Sequence, residues 1–534
     1  MGGQRRSHGT DLSASSSSWL SRFWSSALRT KTFGSPTSAA DFRTSSGEGV
    51  GASIGAGIFV VTGTVARDAG PGVTISFIVA GASCILNALC YAELASRVPA
   101  VVGGAYLYAY VAFNELTAFL VFAQLMLDYH VAAASIARSL AAYIITILEL
   151  FPFFKDIPGW VGQGEEFLGG ALSINILAPI VLAILTAILC WGVGESSALN
   201  SFMTVTKVVI VIFVIFAGAF EVDISNWSPF APNGFKAILT GATVVFFSYV
   251  GFDAVANSAE ESKNPQFSLG CMVPYHFLGE DAPLAEAFTS KGLKYVSVLI
   301  SIGAVAGLST TLLVGLYVQQ SRLYLGLGRD GLLPSVFAKV HPTRHTPVFS
   351  QVWVGIIAGV LAGLFNVREL SHILSVGSLT GYSVVAACVV VCRSKDKTAS
   401  LVSSEWITAW REGVLCLIIV AFSGFGSGVL YRVDASFVFL LVAAVIALLA
   451  SAALLCRQRY VDPPGFSCPG VPIVPAIFIF LNIFLFAQLH YEAWVRFIIL
   501  SLVAVGIYAF YGQYHAEPRS NEAIIYHRAP AEAS

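Results

Sequence analysis

Charge is what this sequence lacks most. Of its 534 residues only 11% are charged, against 56% hydrophobic, and a soluble domain carries about 25% charged side chains. The solvent for most of the chain is therefore lipid. The 30 basic and 31 acidic residues leave a formal net charge of −1, which excludes the footprint of a nucleic-acid partner and wholesale adhesion to anionic lipid. Electrostatic function must come from single placed charges. Paired cysteine spacing is also missing: Cys84, Cys90, Cys190, Cys388 and Cys416 are scattered inside apolar runs, with no CxxC to hold zinc or build a disulfide framework, and read as reduced, packed residues. Neither GxGD nor GxSG occurs, no GKS or GKT follows a glycine loop, and no His-rich metal set is present. These absences speak against an intramembrane protease, a nucleotide-binding loop and any cofactor.

What the chain has instead is long apolar runs. A spanning helix needs about 20 mainly apolar residues, and about thirteen candidates follow one another, at roughly 49 to 66, 73 to 95, 114 to 147, 174 to 193, 200 to 220, 237 to 258, 294 to 325, 347 to 365, 370 to 392, 413 to 431, 435 to 456, 471 to 488 and 493 to 511. All read as helices, because the runs are too long for barrel strands and lipid forces backbone groups to be satisfied within each segment. The fold class is all-α and polytopic. Residues 1–46 read as a disordered basic cytoplasmic tail, 47–392 as the core with about nine spans, 393–412 as a cytoplasmic loop, 413–512 as four additional helices and 513–534 as a cytoplasmic tail. The Ser-rich, Arg-rich first 46 residues also resemble an organellar transit peptide, the alternative to a tail held inside by its charge. No cleavable secretory signal is evident.

Orientation follows the basic residues. Arg322, Arg329, Lys339 and Arg344 after the seventh candidate, Arg393, Lys395, Lys397 and Arg411 later, and then Arg457 and Arg459 mark three cytoplasmic loops. The basic N-terminus is placed inside too, and an odd number of crossings cannot join two inside points. Either the first, glycine-rich candidate fails to cross, or a span is absent between Gln266 and Met272.

Two segments interrupt helix logic. Gly49, Gly51, Gly55 and Gly57 crowd the first candidate, at about 1 kcal/mol per glycine against alanine, so a break is expected there. Free N–H groups at a break bind a carboxylate and free carbonyls an ammonium, as in transporters with discontinuous helices; a small-xxx-small packing face at Gly51 and Gly55 is the other reading. In the sixth candidate, Phe246, Phe247, Ser248, Tyr249, Val250, Gly251, Phe252 and Asp253 place an acid near the middle of an apolar run, where an acid is expected to face a water-filled path or a partner. Lys207 lies too deep in the fifth run to snorkel comfortably, and is either a coupling group lining a cavity or a lysine bonded to broken-helix carbonyls. Asp128 poses the same question in the third run, with pairing to a neighbouring helix as its structural alternative. Glu93 and Arg97, and the cluster Glu260, Glu261 and Lys263, read as interfacial pairs or gates. His341 and His345 have metal-like spacing, but Pro342 between them makes loop residues of both. Asn226, Trp227 and Ser228 form a glycosylation sequon.

The segment Gly51 to Gly57 with Ile58 and Phe59, the run Phe246 to Val255 followed by Ala259 to Pro265, the stretch Arg329 to Pro334, and Cys468, Pro469, Gly470, Val471, Pro472, Val474 and Pro475 together resemble the plant branch of the cationic amino acid transporters, in the amino acid, polyamine and organocation superfamily. The resemblance runs from about Gly49 to Gly512. It implies two inverted five-helix repeats and four extra helices, with helices one and six broken at the site. Ser53, Ile54, Gly55, Ala56 and Gly57 would then meet the substrate carboxylate, and Phe246, Phe247, Ser248 and Tyr249 its amino group, with Phe252 as a gate and Asp253 beside it. Lys207 matches the lysine that family logic assigns to proton coupling, and Asp128 stands where relatives often carry glutamate. Two departures accompany the match: the first half of helix one is truncated, and the whole of helix seven is missing between Gln266 and Met272.

The expected function is proton-coupled secondary transport of amino acids, arginine and lysine or neutral ones, by alternating access in a lipid bilayer, with protons as the second partner and no nucleic acid. The alternative is a non-transporting splice variant that binds amino acids or regulates full-length relatives. The plant resemblance implies the vacuolar membrane, with the plasma membrane as competitor.

Overall fold

In lipid a backbone finds no partner but itself, so each apolar run closes its own hydrogen bonds as a helix. The computed structural model describes residues 22–29, 59–97, 104–149, 151–152, 157–162, 164–167, 172–191, 205–206, 209–210, 212–214, 216–217, 220, 227–249, 294–313, 320–342, 344, 346–394, 404–458, 460–463 and 466–516. A short helix α1 (22–27) precedes α2 (Thr62–Ala69) and α3 (Val73–Arg97). Helices α4 (Gly104–Ala112) and α5 (Glu115–Leu148) follow, then α6 (Leu177–Cys190) and α7 (Gly234–Val245). Next come α8 (Lys294–Thr311), α9 (Ser321–Arg329) and α10 (Val348–Leu364). The ninth apolar candidate is split into α11 (Val367–Ile373) and α12 (Val376–Ser394). The four additional helices are α13 (Ser404–Arg432), α14 (Phe437–Arg457), α15 (Ile473–Gln488) and α16 (Tyr491–Ile507).

Among the described residues, six helical stretches are long and apolar enough to cross a membrane: Thr62–Arg97, Glu115–Leu148, Val367–Ser394, Glu412–Arg432, Phe437–Arg457 and Tyr491–His515. Five shorter apolar helices join them. The chain is thus a polytopic helical membrane protein. Beside the helices, the described residues hold one small antiparallel hairpin, β1 (Glu165–Phe167) with β2 (Leu172–Ile174), paired Glu165 to Ile174. Its position is fixed by Arg138, buried near the far end of α5, which donates to the Ala362 carbonyl at 2.7 Å and to the Ser173 hydroxyl at 3.1 Å. The guanidinium satisfies carbonyls that the short loop cannot satisfy itself.

The hub is α5. Its 34 residues span about 50 Å at 1.5 Å per residue, well beyond a hydrocarbon core of about 30 Å. It starts where Asn114 accepts the Thr117 N–H at 2.8 Å, an N-cap that satisfies one free donor of the first turn. Buried residues run around most of its circumference, and α4, α6, α8, α10, α11, α12 and α16 all pack on it. The fully buried row Ile300, Ala304 and Leu308 gives α8 the apolar stripe that seats on such a hub.

The basic N-terminal tail, expected to be disordered over residues 1–46, contains the helix α1, with Phe23, Ser26 and Ala27 buried. Phe23 meets Tyr508 edge-on at 5.9 Å, the Arg29 carbonyl accepts the Glu115 N–H at 2.9 Å, and Arg29 donates to the Ala516 carbonyl at 3.0 Å. Apolar burial and a guanidinium shared between two chain ends hold this segment down. Glu115, itself fully buried, accepts from the Tyr110 and Tyr508 hydroxyls at 2.6 and 2.7 Å. Burial, and then the Glu115 carboxylate, push the Tyr110 phenol well up, so it remains a donor at physiological pH. Tyr106 on the same helix donates to Asp330 at 2.9 Å, and a side chain at Gly331 would strike the His515 carbonyl. Arg29, Asp330 and His515 therefore gather at one end of the bundle.

Candidate functional site

Helix α7 stops being α-helical at Val245 and tightens into a 3₁₀ turn, Phe246–Tyr249, where the sequence places an interruption. A turn that changes from i→i+4 to i→i+3 bonding frees backbone groups that a uniform helix would consume. Phe246, Phe247 and Ser248 are buried, and the Ser248 hydroxyl has no hydrogen-bond partner among the described residues. Tyr249 anchors the turn to α3 by donating to the Phe77 carbonyl at 2.9 Å, over Gly81, which leaves room for its ring. Below it, Ser76 donates to the Ile238 carbonyl at 2.7 Å, so α3 and α7 are joined at two levels.

Aromatic rings continue from the turn into the neighbouring helices. Phe246 lies 5.8 Å from Tyr382 on α12, Tyr382 lies 5.4 Å from Tyr91 on α3, and Tyr91 lies 6.1 Å from Tyr108 on α4. Phe59, the last residue of the glycine-rich segment and fully buried, has its ring 6.2 Å from Tyr143 on α5, whose hydroxyl is 3.4 Å from the Phe59 carbonyl. The Thr64 hydroxyl, the Ser139 hydroxyl and His130 Nε2 are buried with no hydrogen-bond partner among the described residues. A buried polar atom left unsatisfied is costly, and a bundle that keeps several of them is built to offer them to something polar.

Asp128, at mid-length of α5, is ion-paired. Arg496 on α16 donates to its Oδ1 at 2.6 Å, while the Ser378 N–H and hydroxyl reach Oδ2 at 2.8 and 3.2 Å. Asp128 and the Phe246–Tyr249 turn do not touch, but α12 serves both: Ser378 holds Asp128, and Tyr382, one turn on, holds Phe246. Ser53, Ile54, Gly55, Ala56, Gly57, Lys207, Phe252 and Asp253 lie outside the described residues.

Glu93 and Arg97 are paired as their spacing predicts, with Nε 3.1 Å from Oε1. The stronger partner went unseen in the sequence. Arg393, the next-to-last residue of α12, meets Glu93 with Nε to Oε1 at 2.9 Å and Nη2 to Oε2 at 2.6 Å. The Cys468 N–H adds a bond to Oε2 at 2.9 Å, and the Cys468 carbonyl and Ser467 hydroxyl accept from Arg393. The segment that opens the Cys-Pro-Gly-Val-Pro signature is thus bound to α3 and α12 together. Arg496 was equally legible in principle, as a lone cation in the last apolar run, whereas nothing in the spacing marks Ser378 or Arg393 as partners of residues some 250 to 300 positions away.

A polytopic bundle of apolar helices, one of them ending in a buried 3₁₀ turn, defines a helical membrane protein of the permease class. Residues 42–279 match the amino acid permease family and residues 466–516 the C-terminus of amino acid permeases. The chain belongs to the plant cationic amino acid transporter family. It is 64% identical to the chloroplastic cationic amino acid transporter 9 of Arabidopsis thaliana, over 97% of each chain. It is 32% identical to the vacuolar cationic amino acid transporter 4 of the same plant, over 88% of this chain and 90% of that one. It is also 39% identical to the methylthioribose transporter of Bacillus subtilis (strain 168), over 65% of this chain and 79% of that one. The first of these alignments runs to 555 positions, more than the 534 residues of this chain, so the relative has residues that this chain lacks.

Proposed function

We propose that this chain is a secondary transporter of amino acids, arginine and lysine foremost, driven by a proton gradient through alternating access. The observation that carries the proposal is the 3₁₀ turn Phe246–Tyr249, buried between α3 and α12 with the Ser248 hydroxyl unpartnered. Exposed carbonyls of such a turn suit an ammonium, and the N–H groups of the glycine-rich segment Ser53, Ile54, Gly55, Ala56 and Gly57 suit the carboxylate of the same zwitterion. Phe252 is assigned as the gate of that site and Asp253 as its neighbouring acid. Lys207 and Asp128 are the titratable pair assigned to proton coupling. Two inverted five-helix repeats, with four added helices, supply the two bundles that rock against each other.

Uptake of labelled arginine, lysine and a neutral amino acid into proteoliposomes, with and without an imposed pH gradient, tests this reading. Saturable uptake stimulated by an inward proton gradient is expected, and no saturable uptake from correctly inserted protein would overturn it. Ser248→Ala is expected to leave the melting temperature unchanged and to raise the KM for the substrate roughly 3- to 10-fold, the worth of one hydrogen bond. An unchanged KM would remove Ser248 from the site. The truncated first helix and missing seventh helix favour one second reading, a non-transporting regulator: a melting shift on arginine binding without uptake selects it. The relatives' names divide among chloroplast, vacuole and mitochondrion; the vacuolar membrane stands as the proposal, and a fluorescent fusion at the C-terminus decides it.

A further inference from the structure

We infer that Arg496, on the last membrane helix, is a positioning residue for transport, holding with Asp128 the break between α11 and α12 on which the Phe246–Tyr249 turn rests. This inference rests on the transport reading above. A guanidinium on a helix outside the five-plus-five core is expensive in lipid and needs a reason. Its reason is on the neighbouring helix. The ninth apolar run is interrupted at Leu374 and Ser375, and Ser375 has a φ of 73°, left-handed backbone that a non-glycine residue adopts only under constraint. The interruption leaves free carbonyls at the end of α11 and free N–H groups at the start of α12, and lipid satisfies neither.

The ion pair satisfies both ends. Arg496 donates through Nη1 to the carbonyl of Ile373, the last residue of α11, and through Nη2 to Asp128. Asp128 accepts from the N–H and hydroxyl of Ser378, in the first turn of α12. A cation thus stands at a helix C-terminus and an anion at a helix N-terminus, each in the favourable direction of the helix dipole. A second polar link lies one turn away: Gln124 donates to the Phe497 carbonyl at 3.0 Å and to the Ser501 hydroxyl at 2.9 Å. Helix α16 is therefore fastened to the hub at mid-length by polar bonds rather than laid against it.

The link to the site is α12. Ser378 and Tyr382 are one turn apart, about 6 Å along the axis, and the Tyr382 ring supports Phe246. If the Asp128 charge is removed, Arg496 loses its partner, the bond to Ser378 weakens, and the first turn of α12 is free to shift under Phe246. Other titratable groups on the elements around Asp128 are placed elsewhere. His130 sits two positions along α5 with Nδ1 on the Met126 carbonyl; Arg368 and Glu369 are exposed at the start of α11; Tyr295 is exposed on α8; Glu492 on α16 neighbours His490; and Arg393 is bound to Glu93 at the far end of α12.

The test is arginine uptake against external pH for the wild type, Asp128→Asn, Arg496→Met, Arg496→Lys and the double variant Asp128→Asn with Arg496→Met, with melting temperatures measured in parallel. Arg496→Met leaves the Asp128 carboxylate without its cation beside the first turn of α12, and is expected to move the pH profile of uptake. Arg496→Lys should restore the profile in part, and the double variant should lose the part of the pH dependence that the Asp128–Arg496 pair supplies. If Arg496→Met does not fold, the lysine and double variants carry the comparison. A melting loss with an unshifted profile would overturn the inference, leaving the pair as scaffold only. Absence of uptake in the wild type would instead sink the transport reading, while strictly additive melting losses in the Asp128 and Arg496 cycle would sink the coupling itself.

Discussion

Arg393→Met is expected to give a protein that inserts poorly and melts far below the wild type. The Glu93 carboxylate is fully buried, and the Arg393 guanidinium is 5% exposed. Two short bonds join them, and the Cys468 N–H completes the anion's set. Methionine fills a similar length but provides no donor, so the carboxylate keeps only Arg97 at 3.1 Å and one backbone N–H. Stripping one partner from a buried pair costs about 3 to 5 kcal/mol, because the remaining charge is stranded rather than because the pair itself was worth that much. The exposed contact from Arg393 to Asp462, whose side chain is 86% exposed, adds little. Combining Arg393→Met with Glu93→Leu should therefore recover much of the loss. Fluorescence size-exclusion yield and melting in detergent measure both, and a single variant that melts within a degree of the wild type would refute the assignment.

Gly377→Ala is expected to reduce transport strongly, whereas Gly381→Ala, one turn further along the same helix, is expected to be mild. A Cβ at Gly377 would overlap the Gln124 carbonyl oxygen and stand 2.5 Å from its carbon and 3.0 Å from the Leu125 nitrogen. Those atoms belong to the backbone of the hub helix and cannot step aside. Helix α12 would have to move outward, drawing Ser378 away from Asp128 and Tyr382 away from Phe246. At Gly381 the nearest atoms are the end of the Leu125 side chain, at 3.1 to 3.4 Å, and a leucine rotamer yields. Overpacking against backbone costs about 1 to 3 kcal/mol, which at the working end of α12 means roughly a 5- to 150-fold fall in uptake. Equal uptake by the two variants would contradict the close approach of α5 and α12.

Much of the bundle was legible from hydropathy, because the length of an apolar run and the absence of charge are properties of the chain itself. The interruption at Phe246 was legible too, since Ser248, Gly251 and Asp253 break an otherwise apolar helix. The break before Val376 was not. Ser371, Ser375 and Ser378 are ordinary in a membrane helix, and only the arrival of Asp128 and Arg496 from two other helices makes an interruption affordable there. Helix α1 escaped notice for a related reason: six helical residues in a serine-rich tail have no period long enough to read, and Phe23 finds its partner almost five hundred residues away at Tyr508.

The sequence alone determined that this chain lives in lipid, that it is helical, and where its long apolar runs lie. Those are consequences of composition and local pattern, which act over one helix at a time. Only the tertiary structure decided the pairings: Glu93 with Arg393, Asp128 with Arg496 and Ser378, Phe246 with Tyr382. In a medium without water, every lone charge and every open helix end must find its complement on another helix, and proximity across hundreds of residues is a fact of packing that no spacing encodes.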